Sequence, residues 1–183
     1  MSAFSEAMRR VITGDDLAGQ SLVILDGGPS AAAGRPDIGG LFEIWEDCAT
    51  GPLDPKVHDD LGTKQPVLGP RSGNVQVRWF VIPPTDEAIP KAERDATTRE
   101  RFKAFGGDLH IVDQTRHSGM HKTHSIDVIC LLQGEVSLIL DNDERRLKPG
   151  QVVIQRGTAH AWEAHGGPAL LLAVLIDRPL TRS

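Results

Sequence analysis

MHKTHSIDVICLLQGE, residues 120–135, sets two histidines and an aspartate ahead of an apolar run that closes in glycine. Side chains on a β-strand alternate between its faces, so His121, Thr123, Ser125, Asp127, Ile129 and Leu131 share one face. His124, Ile126, Val128, Cys130 and Leu132 share the other. The first face begins polar and turns apolar, as a barrel strand does when its mouth holds a ligand site. The plainer reading is a strand with polar residues at its edge. The second face is apolar and needs a cover, which N-terminal strands, a second sheet or another subunit could supply.

The stretch GQVVIQRGTAHAW, residues 150–162, repeats the logic: a short strand meets a glycine turn that delivers His160, with Trp162 and Ala164 in phase. His121 and Asp127 from one strand and His160 from another supply two imidazoles and a carboxylate. Such a set leaves open positions on Fe, Mn, Ni or Zn, which suits chemistry rather than folding. His121, Asp127 and His160 are therefore the candidate catalytic and metal-ligating residues. Thr123, Arg156 and Trp162 are the candidate substrate-binding residues. In the alternative, the histidines hydrogen-bond an organic ligand, while Asp127 orients a histidine or serves as a general base. Arg156 reads equally as a clamp for a carboxylate and as a structural ion-pair partner. His117 is a candidate extra ligand, and His124 and His165 are expected at the surface.

The rest of the chain is short strands between glycine and proline turns. Candidate strands are 9–14, 21–27, 40–47, 75–84, 108–114, 125–134, 135–141, 151–155, 159–164 and 169–177, a spacing that predicts a sandwich or barrel and not βαβ units. One helix is predicted over 91–105, ended by Gly106-Gly107, its charges forming a solvated face; a mobile lid is the other reading. The stretch 48–73, with Pro52, Pro55, Pro66 and Pro70, reads as an irregular loop. Residues 1–107 then complete or cover a barrel whose core is 108–183, within one structural domain.

The chain has 183 residues, enough for one domain with a proper core, with 39% hydrophobic and 25% charged residues. A net charge of −5 argues against nucleic acid or an anionic membrane surface as a partner. No apolar run reaches the length of a membrane span, and MSAFSEAMRRVITG lacks the apolar segment of a secretory leader. Cys48 and Cys130 are expected as buried free thiols, which fits a cytoplasmic location. With no Tyr in the chain, a tyrosine proton relay is excluded.

At the quoted stretches the sequence resembles the cupin superfamily, small jelly-roll β-barrels, over residues 108–177. The first cupin motif places His121 at its first histidine, Thr123 at its second, Asp127 at its glutamate and Gly134 at its closing glycine. The second places Gly150 at its start, Gly157 at the turn and His160 at its histidine, with Ala164 where an asparagine is usual. The resemblance implies an all-β double-stranded β-helix (jelly-roll) barrel with additional N-terminal strands and one short helix. It implies a metalloenzyme, a lyase or dehydratase, isomerase or oxygenase, acting on an oxygen-rich small metabolite at a divalent metal ion. A non-catalytic barrel that binds a small ligand without metal is the alternative. A homodimer is the expected assembly.

Overall fold

Alternation along each strand decides which face is buried, and two buried faces meet to make the barrel. The computed structural model describes residues 4–86 and 88–181. Met1–Ala3, part of the stretch read for a leader, Glu87, inside the range 1–107 read as completing or covering the barrel, and Arg182 and Ser183, inside the range 108–183 read as its core, lie outside the described residues. The strands are β1 (Arg10–Asp15), β2 (Ser21–Gly27), β3 (Ala32–Arg35), β4 (Gly39–Cys48), β5 (Asn74–Ile82) and β6 (Ser125–Gln133). They continue with β7 (Val136–Ile139), β8 (Glu144–Leu147), β9 (Val152–Arg156), β10 (Ala161–Ala164) and β11 (Ala169–Asp177). Among the described residues a single α-helix, α1 (Lys91–Ala104), lies between β5 and β6.

Six strands form one antiparallel sheet in the order β3-β4-β5-β11-β6-β9, and three form a second, β10-β7-β8. β1 and β2 pair as a separate ribbon. The two larger sheets face each other as a jelly roll. Ile129, Leu131, Leu171, Ala173 and Leu175 from the inner face of the first pack against Val136, Leu138, Trp162 and Ala164 of the second. Strands from 1–107 and from 108–183 thus share one sheet, with β5 and β6 on either side of β11.

The face of β6 assigned inward from alternation is the buried one: Ser125, Asp127, Ile129 and Leu131 are all buried. The outer face of the large sheet divides in two. Over β4, β5 and β11, Phe42, Trp79, Val81 and Leu170 are covered by Phe4 and Met8, so N-terminal residues supply the expected cover there. Farther along, Val128 of β6, Val152 and Ile154 of β9 and Ile176 of β11 remain exposed.

Several sequence expectations need correction. Residues 108–114 are not a strand: Gly107–His110 is a 3-10 turn, and Ile111 makes only an isolated bridge to His121. β8 falls outside the candidate strands because ERRL has no apolar alternation, yet it is the outer strand of its sheet, where exposed charges suit an unpaired edge. β3 was missed because AAGR lacks branched or aromatic residues; it pairs with β4 where Gly34 meets Gly40. Cys48, at the end of β4, is exposed, and Cys130 is half-buried. Both are free thiols, so the burial expected of Cys48 is wrong and the absence of a disulfide is right. Among the described residues no helix is long and apolar enough to cross a membrane.

Candidate active site

The site opens at the point where β6 begins. His121 lies just ahead of that strand, and its backbone clasps His160, just ahead of β10: each N–H donates to the other's carbonyl at 2.9 Å. This reciprocal bridge brings the two imidazoles together with ring centroids 4.2 Å apart. Each ring is oriented from behind. His121 Nδ1 lies 2.8 Å from the Gly119 carbonyl, and His160 Nδ1 lies 2.9 Å from the Thr158 carbonyl. A carbonyl can only accept, so both Nδ1 atoms carry the proton and both Nε2 atoms keep a lone pair. Burial drives the His121 pKa down to about 3, helped by its neighbour His160, and that of His160 down to about 4. Both rings are neutral at pH 7.

Asp127 lies six residues beyond His121, on the inward face of β6, and is 2% exposed. Ser125 Oγ–H donates to Thr123 Oγ1 at 2.9 Å, and Thr123 Oγ1–H donates to Asp127 Oδ2 at 3.4 Å. The hydroxyl at the position of the second motif histidine therefore serves the carboxylate. Asp127 Oδ1 is buried without a hydrogen-bond partner among the described residues. Burial pushes the Asp127 pKa up, opposed by the two hydroxyls and by Arg78.

These groups line a cavity of about 400 Å³ whose walls include Phe80, Ile82, Ile129 and Trp162. Trp162 meets Phe80 edge-on at 6.3 Å and His160 at 6.1 Å. The mouth is covered by α1. Its half-buried residues Arg94, Thr98 and Phe102, spaced four apart, line the cavity together with Phe105, and Phe102 meets the His121 ring edge-on at 5.1 Å. The helix is neither fully solvated nor detached: one stripe roofs the site and the remainder faces water.

The structure thus brings together His121, Thr123, Asp127, His160 and Trp162, with His117 at the rim. Arg156 is not among them. It is exposed on β9, opposite Ile126 on the outer face, so the expected substrate clamp is corrected to a surface residue. His124 is exposed as expected, whereas His165 is half-buried with Nε2 2.9 Å from Ser137 Oγ.

The metal expectation meets the geometry only in part. Two Nε2 lone pairs on residues joined by a backbone bridge, each with its Nδ1–H fixed by a carbonyl, match the way metal-binding histidines are held. Asp127 does not join them: among the described residues no three His, Cys, Asp or Glu side chains are grouped to hold an ion. The imidazole pair fits two positions of a metal, and the carboxylate stands apart as a separate group.

Two residues that matter here escaped the sequence reading. Arg78 of β5 is 2% exposed and lines the cavity, and Glu43 of β4 lies directly across from it, 1% exposed. Arg78 Nη2 is 2.9 Å from Glu43 Oε1, but the approach lacks hydrogen-bond alignment, and neither Glu43 oxygen has a hydrogen-bond partner among the described residues. Arg78 donates instead to the carbonyls of Val67 (2.6 Å) and Leu68 (3.2 Å). The signal was present in VQVRWFVI: Gln76, Arg78, Phe80 and Ile82 alternate with Val75, Val77, Trp79 and Val81, which puts an arginine on an inward face.

No family model matches the chain. It is 51% identical over 65 residues to phomopsin biosynthesis cluster protein D of Diaporthe leptostromiformis, covering 33% of this chain and 34% of that protein. A cupin-domain-containing oxidoreductase of Hypocrea virens is 38% identical over 65 residues, again 33% and 34% of the two chains. The chain therefore matches about a third of the length of these curated relatives. Among solved structures, a cupin superfamily protein from Desulfitobacterium hafniense aligns with TM-score 0.35 and 14% identity over 56% of this chain and 67% of that one. A cupin 2 conserved barrel domain protein from Salinispora arenicola aligns with TM-score 0.34 and 17% identity over 56% and 63%. In its all-β jelly-roll architecture and in the matched segment, the chain is similar to the cupin superfamily.

Proposed function

We propose that the chain is a small-molecule enzyme of the cupin type, working in the barrel cavity on an oxygen-bearing metabolite. The observation that carries this reading is the His121–His160 pair, two buried neutral imidazoles with their Nε2 lone pairs uncommitted. The pair suits a divalent ion such as Fe, Mn, Ni or Zn, with the remaining positions left to water or substrate. When bound, such an ion supplies Lewis-acid polarisation of a substrate oxygen. The other roles belong to the chain. Asp127, made more basic by burial, accepts a proton at Oδ1, while Thr123 holds Oδ2 and fixes the carboxylate plane. Phe102 and Trp162 keep bulk water from the reacting groups.

A proton taken by Asp127 from a carbon or hydroxyl of the substrate is the step shared by dehydration and isomerisation, and the carboxylate favours a lyase or isomerase. The relatives' names favour an oxidoreductase, so the identity of the ion separates the two. A homodimer and a cytoplasmic location belong to the same proposal. A second reading, a barrel that holds a small ligand without turnover, is favoured by the lack of a third grouped donor among the described residues.

Elemental mass spectrometry on untagged protein purified without chelator tests the proposal. Near-stoichiometric Fe, Mn, Ni or Zn is expected in the wild type, and its loss in both His121→Ala and His160→Ala. A wild-type protein that is empty and takes up none of the four added ions would leave only the ligand-binding reading.

A further inference from the structure

His121 is 8% exposed and His160 2%, so neither imidazole can take up a ligand unless part of the surrounding wall gives way. Most of that wall is held fast. Phe80, Ile82, Ile129, Trp162, Ala173 and Leu175 come from strands bonded into the two sheets. The stretch before His121 is anchored by Met120, 0% exposed, whose N–H donates to the His117 carbonyl. The roof is different. None of the 14 residues of α1 is buried, and of its half-buried ones, Arg94, Asp95, Thr98 and Phe102, only Phe102 is apolar. Two hydrogen bonds hold its C-terminal end: Leu68 N–H donates to the Phe105 carbonyl at 2.9 Å, and Gln65 Nε2–H to the Ala104 carbonyl at 3.4 Å. Farther up, Ser118 donates to Asp95, and Arg94 turns back to the Asp86 carbonyl just ahead of the helix.

That C-terminal end has the build of a hinge. Gly106 adopts φ +62°, with nothing within 4 Å of where a Cβ would lie, so no packing pins that peptide. Gly107 is closed in instead: a Cβ there would lie 2.9 Å from Phe102 Cδ1, so the Phe102 ring rests on bare backbone. On another side the ring meets His121 edge-on at 5.1 Å. We propose that α1 is a gate over the histidine pair, hinged beside Gly106 and latched by Phe102 on the His121 ring. A pivot there keeps the Leu68 and Gln65 bonds near its axis. Opening gives up the Asp95–Ser118 bond and the seat of one aromatic side chain, whereas parting any strand wall breaks a run of ladder hydrogen bonds. Whatever the histidines hold, ion or organic oxygen, enters and leaves through this roof. The inference rests on the histidine pair being the binding site. It adds Phe102, from outside both histidine-bearing stretches, as a positioning residue that settles against His121 when the gate is shut.

A reversible lock tests the gate. A Cβ built at Gly119 lies 3.8 Å from Thr98 Cγ2, near enough for Thr98→Cys with Gly119→Cys to join roof and wall through a disulfide. Diethyl pyrocarbonate acylates an imidazole nitrogen that keeps a lone pair, so it reports when each histidine is uncovered and needs no ligand or ion. The full chain is first dialysed against chelator, and peptide mass mapping reads the rate at each histidine. The lock should slow His121 and His160 by about tenfold or more relative to the same protein reduced with dithiothreitol, as expected when local opening is blocked. His124, which is exposed, should react alike in both states. Phe102→Ala removes the latch, and both buried histidines should then react about tenfold faster than in the wild type. Thermal unfolding checks that each variant is folded, and the two variants test the gate independently. Equal rates in the locked and reduced protein would overturn the gate, as would a folded Phe102→Ala no faster than wild type, or histidines that never react in the wild type. The ion content of the histidine pair is read separately, so each of these results leaves the metal proposal standing or falling on its own test.

Discussion

Glu43 is a carboxyl in the wrong solvent. Burial pushes its pKa from 4.5 up to about 7, against the pull of Arg78. Between those two values the folded chain holds a proton that the unfolded chain has released. The stabilisation is complete below pH 4.5 and is lost as pH rises through 7. His121 and His160 act in the opposite sense. Their folded values of about 3 and about 4 lie below 6.5, so the stability they confer is present above pH 6.5 and is lost as pH falls towards 4. The two trends partly cancel between pH 4.5 and 6.5. In Glu43→Gln, urea midpoints measured across pH should lose the decline between 4.5 and 7, leaving a profile that rises with pH through the histidine window. An unchanged profile would mean that Glu43 ionises freely in the folded chain. At this scale the sequence was half legible. His121, Asp127 and His160 stood out because polar residues at a strand start break an apolar alternation. Glu43 and Arg78 did not, because a charge inside an aromatic-rich strand reads as the solvent face until the opposing sheet is known.

Among elements, strands with strong alternation were readable and those at sheet edges were not. β6 and β11 carry branched apolar residues on both faces, because both faces are covered for much of their length. β3 and β8 sit at edges, where short length, glycine or charge keeps the strand from recruiting another chain, and those properties erase the pattern. α1 was legible as a helix from its composition and its glycine stop, with Gly106 at φ +62°. Its place over the cavity was only the second of two readings, since Thr98 and Phe102 make only a thin stripe. The turn between β6 and β7 has a sharper requirement. Gly134 adopts φ +89°, and a Cβ there would lie 2.8 Å from the Pro168 carbonyl oxygen. Gly134→Ala should cost about 1–3 kcal/mol, read as a lower denaturant midpoint with an unchanged slope. A loss below a few tenths would mean that the turn relaxes freely.

For the molecule as a whole, the decisive arrangement is which surface covers which. Phe4 and Met8 close over Phe42, Trp79, Val81 and Leu170, so a short N-terminal segment seals the back of the sheet that carries the site. Phe4 is 7% exposed, and Phe4→Ala should cost about 3 kcal/mol through the cavity left beside Trp79. Calorimetric unfolding would show this as a lower Tm, and near-unchanged stability would mean that the segment is not docked in solution. The sequence named N-terminal strands among the possible covers but not the segment with Phe4 and Met8, because nothing local to FSEAM marks it as a partner of β5.

β11 also has a consequence in time. Among the described residues it is the last strand in chain order, yet it stands third from one edge of the six-stranded sheet and joins β5 to β6. Its partners are 37 to 101 residues earlier, so until residues 169–177 emerge from the ribosome the two halves of that sheet have no strand to pair across. Before then β5 and β6 each carry an open apolar edge, and loops this long close slowly. A nascent chain stalled before residues 169–177 are made is therefore an aggregation hazard of a kind that the finished barrel is not.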